Sequence, residues 1–111
     1  MTPRDELVLD VVALIPEGAL ASYGDIAGTV TALGTACTAR QAAATLSHYG
    51  GGVPWWRVVR AAGTVADEVL PAARTHLVAE GVEVVGRRVP LQELRWQPDL
   101  VVLRAELTLG G

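Results

Sequence analysis

The chain has 111 residues, half of them apolar, which suffices for one modest core and not for two. A net charge of −3 argues against a broadly basic surface, and a single cysteine excludes an intrachain disulfide or a zinc cluster. No run approaches the roughly 20 apolar residues of a membrane span. Met1–Glu6 carries two acids and lacks the basic start of a signal peptide, so a single cytoplasmic domain over residues 1–111 is expected.

The first predicted element is a helix. Thr2 can cap it, Pro3 suits its first position and Asp5 its third, and Leu7, Val8, Val11, Val12 and Ile15 recur at helical spacing until Pro16-Glu17-Gly18. Two further caps follow. Ser22-Tyr23-Gly24-Asp25 and Thr38-Ala39-Arg40-Gln41 each place an oxygen donor or acceptor three residues after a hydroxyl, predicting helices over Tyr23–Thr31 and Ala39–Ser47. Two short helices joined by a turn containing Gly34 predict helix-turn-helix, with Ala32–Cys37 a longer connection than usual.

Gly50-Gly51-Gly52 leads into Val53-Pro54-Trp55-Trp56-Arg57-Val58-Val59. Its β-branched residues predict a strand, and Ala62-Gly63 predicts a turn back through Thr64-Val65, together forming a small wing. A helix over Pro71–Glu80, closed by Gly81, and an exposed strand at Val82–Val85 come next. The last dozen residues are apolar and carry little signal. The expected fold is mainly α with a small β wing, a winged helix-turn-helix. All nine basic residues are arginine. Between Gly18 and Gly63, Arg40, Arg57 and Arg60 face a single acid, Asp25, so the middle of the chain is locally +2. A basic face of that kind would bind DNA weakly and with strong salt dependence.

Ile15-Pro16-Glu17-Gly18, Ser22-Tyr23-Gly24-Asp25-Ile26-Ala27, Ala39-Arg40-Gln41, Val53 to Val59, Gly63 and Glu80-Gly81 stand in an order that resembles the DNA-binding domain of the O6-alkylguanine-DNA alkyltransferases. Arg95-Trp96-Gln97-Pro98 is similar to the ending of the alkyltransferase-like branch. The resemblance spans roughly residues 7–98. That family transfers an alkyl group to the cysteine of a Pro-Cys-His-Arg motif, which here reads Pro54-Trp55-Trp56-Arg57. Trp55 stands at the nucleophile position and Trp56 at the histidine position; Glu80 matches the family's glutamate, with no histidine to orient. Alkyl transfer needs a thiolate beside a base, and an indole supplies neither.

The resemblance therefore implies a protein that is not an enzyme. It would bind duplex DNA containing O6-alkylguanine, flip the nucleotide, bend the DNA and direct the site to nucleotide excision repair proteins. It would act as a monomer without cofactor, metal or membrane. Arg40 would enter the base stack in place of the departed base, Tyr23 would rotate the adjacent phosphate, and Trp55 would line the pocket. On residue type alone, a phosphate clamp or plain surface arginine is the more common role for Arg40, and a half-buried place with a satisfied hydroxyl is a common one for Tyr23. The candidate lesion- and DNA-binding residues are Tyr23, Thr38, Arg40, Gln41, Trp55, Arg57 and Arg60, with Arg57 expected to bond within the protein.

The chain departs from the pattern at Ala42, Ala43 and Ala44, where the family usually has glycine, and at Glu68, nearest to an arginine of the alkyltransferase-like branch. Arg74 lies further along. Two other readings remain: a winged-helix regulator without lesion specificity, and an active alkyltransferase using Cys37.

Overall fold

The computed structural model describes residues 1–110. It is mainly helical. Helices α1 (Pro3–Ala13), α2 (Tyr23–Ala32) and α3 (Ala39–Tyr49) pack against one another, and α4 (Leu70–Ala79), the short α5 (Leu91–Leu94) and α6 (Leu100–Gly110) follow. The β part is two two-residue strands, β1 (Ala21–Ser22) and β2 (Val58–Val59).

All three caps form as the sequence predicts. The hydroxyls of Thr2, Ser22 and Thr38 accept from the backbone N–H three residues on, and Asp5, Asp25 and Gln41 reach back to accept from the cap N–H. Each box satisfies donors that an α-helix start leaves open, which fixes where each helix begins. The helices run slightly past their predicted ends, to Ala32 and Tyr49. The long α2–α3 connection is closed internally: the Thr31 hydroxyl accepts from Cys37 N at 3.1 Å and donates to Cys37 O at 3.2 Å, while Gly34 adopts φ +112°.

The apolar residues form two sub-cores. Val8, Val11 and Val12 of α1, with Ile15 just beyond its end, pack with Ile26, Val30, Ala42 and Leu46 of α2 and α3. Leu20, Val59, Val65, Ala73, Leu77, Val82, Val89 and Leu91 make the second, under α4. Each fully buried aliphatic contributes on the order of 1.5–3 kcal/mol. Among the described residues, Trp55 is the one partly buried hydrophobic side chain packed against both.

Three expectations change. Val53–Val59 is not one strand: Trp55–Arg57 is a 3-10 turn, and only Val58–Val59 is extended. The strand pairs with Ala21–Ser22 in parallel, not with Thr64–Val65 as a hairpin would. The turn at Gly63 does form, with Gly63 N donating to Arg60 O and Arg60 N to Thr64 O. Gly63 has φ +76°, and a Cβ there would meet Val89 O at 3.1 Å, so a side chain would be both strained and crowded. Val82–Val85 makes only a single-residue bridge, Val85 to Arg88, because Val82 turns inward into the second sub-core. The uninformative C-terminus is α6, whose first amides are taken by Asp99: Val101 N donates to Oδ1 at 2.9 Å.

A polar link ties α1 to α3. The hydroxyl of buried Thr45 donates to Asp5 Oδ1 at 2.5 Å. That bond, with those from Thr2, holds the Asp5 carboxyl down at about 2.

Candidate nucleic-acid interface

The parallel register sets the site. Ser22 pairs with Val59, so the residues that follow the two strands, Tyr23 and Arg60, leave the same end of the pair, and the Arg60 charge is felt at Tyr23. Tyr23 opens α2 with its ring half-buried against the first sub-core. Burial pushes its hydroxyl pKa up, and the Arg60 charge partly opposes the shift.

Arg40 is exposed at the second position of α3. The Thr38–Gln41 box fixes that helix start: Gln41 N donates to Thr38 Oγ1 at 3.1 Å and Thr38 N to Gln41 Oε1 at 3.0 Å. Both polar side chains are thereby engaged in positioning Arg40. Ala43 and Ser47 follow at the i+3 and i+7 positions, so Arg40, Ala43 and Ser47 share one face. Ala42, Thr45 and Leu46 face the core instead.

That outer face of α3 borders an open cleft of about 530 Å³, lined also by Tyr23, Leu46, Gly50, Trp55, Glu68 and Val69. The volume falls in the range of about 300–1,000 Å³ usual for small-molecule sites. The cleft thus brings together Tyr23 and Trp55, with Arg40 about one helical turn beyond its rim on α3. Ser47 was not foreseen, although its seven-residue spacing from Arg40 marks it as belonging to the same face.

Trp56 and Arg57 point elsewhere. Trp56 stacks on His76 with ring centroids 3.7 Å apart and 8° between planes, while Trp55 meets Trp56 edge-on at 5.8 Å. The Trp56 indole N–H donates to Glu80 Oε2 at 2.7 Å. Arg57 donates from Nε and Nη2 to the same carboxylate, at 2.9 and 2.7 Å, and from Nη1 to Ile15 O at 2.7 Å. Gly18 N completes the set at 3.2 Å. The expectation that Glu80 has nothing to orient is therefore corrected: its carboxylate ties the β2 approach, α4 and the end of α1 together. Arg57, with its three nitrogens engaged and its side chain 12 % exposed, bonds within the protein as expected and does not reach the cleft.

The Arg57 hydrogen bonds hold the Glu80 carboxyl down at about 2, against burial, which acts to raise it. A carboxyl with a lower pKa folded than unfolded favours the folded state only while ionised. The Glu80 and Asp5 contributions are thus complete above their ordinary values of 4.5 and 3.8, and vanish as pH falls toward 2. Urea midpoints should stay level from pH 7 to about 5 and drop steeply below it. A midpoint that is level down to pH 3 would contradict these bonds.

Asp25, the one acid in the middle of the chain, pairs with Arg95 at 3.0 Å while capping α2, leaving Arg40 and Arg60 exposed. Cys37 lies ahead of α3 and does not line the cleft. Burial pushes its thiol pKa up despite nearby Arg4, which lowers thiolate content and nucleophilicity.

Comparison with known proteins places this geometry among relatives. A family model described as the DNA binding domain of 6-O-methylguanine DNA methyltransferase matches residues 3–82. The DNA base-flipping protein of Escherichia coli (strain K12) is 39% identical over 94 residues, spanning 80% of this chain and 70% of that protein. Alkyltransferase-like protein 1 of Schizosaccharomyces pombe is 33% identical over 102 residues, spanning 82% and 92%. The crystal structure of S. pombe Atl1 in complex with damaged DNA containing O6-carboxymethylguanine superposes with a TM-score of 0.75 at 30% identity, covering 88% of this chain and 98% of that one.

Proposed function

The chain belongs to the family of the 6-O-methylguanine DNA methyltransferase DNA-binding domain, and from that premise we propose that it reads O6-alkylguanine in duplex DNA without repairing it. The observation that carries this reading is the Trp55 cleft, which has an aromatic wall and no thiol. In the proposed binding step α3 approaches the DNA, Tyr23 presses on the phosphate beside the lesion, with Arg60 near it, and the damaged nucleotide swings out. Arg40 fills the vacated place in the stack, where its planar guanidinium offers donors to the orphaned cytosine. Thr38 and Gln41 act through Arg40, by holding the helix start. The base enters the cleft against Trp55. Flipping costs about a few kcal/mol, and stacking on an aromatic returns about 1–3 kcal/mol.

Trp55 stands where the transferase branch carries its cysteine, so no alkyl transfer follows. The lesion stays marked for removal by nucleotide excision repair, with the protein acting as a monomer and without cofactor. The names of the relatives support base flipping and damaged-DNA binding in this role.

A regulator without lesion specificity draws on one observation, the Glu68 carboxylate at the cleft, which repels phosphate. Affinity for an O6-methylguanine duplex and its undamaged twin, at one stated salt concentration, separates the two readings. The lesion duplex is expected to bind at least about tenfold tighter, a difference of about 1.4 kcal/mol. Equal affinity defeats lesion reading. Intact mass after incubation with an O6-benzylguanine oligonucleotide should be unchanged; an added alkyl group on Cys37 would make the protein a transferase.

A further inference from the structure

Glu68 is the one charged side chain lining the Trp55 cleft. Its neighbour Asp67 is paired with Arg87 at 3.3 Å, but Glu68 has no ion-pair partner among the described residues. The Arg60 charge is felt at Tyr23, which also lines the cleft, but it forms no ion pair with Glu68. The remaining lining is apolar or neutral: Trp55, Val69, Leu46, Ala43 and the hydroxyls of Tyr23 and Ser47. A base standing against Trp55 therefore shares the cleft with one carboxylate that has no ion-pair partner among the described residues.

We propose that Glu68 sets the charge class of the adducts this protein accepts, admitting neutral O6 substituents and rejecting anionic ones. This rests on the lesion-reading function proposed above. Selectivity of this kind comes from a repulsive element, since the cleft is not tightened around the favoured adduct. A carboxylate on the adduct would share the open cleft with the Glu68 carboxylate, and like charges a few ångströms apart repel even where water reaches them. A neutral adduct of the same size would meet only the desolvation of Glu68. Because Glu68 is exposed, dissolved salt should screen the repulsion.

The test uses two adducts of matched shape, O6-carboxymethylguanine and its uncharged amide O6-carbamoylmethylguanine, in one duplex sequence. An undamaged duplex sets the baseline. The amide adduct is expected to bind about tenfold tighter than the carboxylate at low salt, the ratio shrinking as salt rises. Glu68→Gln should bring the ratio near one, whereas Glu83→Gln, which removes the same charge from a separate recess, should leave it unchanged. Equal binding of both adducts by the wild type, or a ratio that Glu68→Gln does not move, overturns the role of Glu68 while leaving lesion reading intact. Failure of both adducts to exceed the undamaged duplex overturns lesion reading and this inference together.

Discussion

Arg57→Ala is expected to destabilise the protein by about 3–5 kcal/mol, the usual result of stripping one partner from a buried ion pair. The pair is well enclosed, with side chains 12 % and 7 % exposed. Without the guanidinium, Glu80 keeps only Trp56 and Gly18 as donors, and Ile15 O loses its partner. A domain of this size holds roughly 5–15 kcal/mol in total, so the variant should unfold at much lower urea. Arg57→Lys keeps the charge but not the fork that meets both carboxylate oxygens, and should lie between the two. A loss below about 1 kcal/mol, read from urea midpoints, would mean that the carboxylate hub is not what joins α1 to α4.

Arg40→Ala is expected to leave stability unchanged, because the side chain is exposed, and to weaken lesion binding by about 30-fold, or about 2 kcal/mol. Binding to undamaged duplex should fall far less, by the single phosphate contact that any surface arginine provides. Arg88→Ala removes the same charge from the recess it shares with Glu83 and Glu93 and makes a fair control. Arg4, remote in sequence, is a poor one: its charge is felt at Cys37, just ahead of α3. If Arg40→Ala and Arg88→Ala lose lesion affinity equally, Arg40 only clamps phosphate.

The helix starts were legible because each capping box is local: a hydroxyl, its partner three residues on and the first turn between them suffice. The outer face of α3 was legible for the same reason of short range. The strand around Trp55 was misread because β-branched neighbours argue for extension while Pro54, with ψ 65°, launches a 3-10 turn whose residues are held by contacts far along the chain. The parallel partner of Val58–Val59 lies 37 positions upstream, and no local signal names it. Trp55 and Trp56 part company because His76 and Glu80 hold one indole while the cleft receives the other, and neither partner is near in sequence. The start of α6 carried a readable sign that went unused, Pro98-Asp99, since aspartate accepts readily from free helix amides.

Trp55 touches both sub-cores, so the wall a guest would lean on is also the mortar between two halves of the molecule. A ligand seated there would be felt on either side of the joint. Saturation should therefore raise a single melting transition as a whole, with no separate, earlier softening of the α4 half.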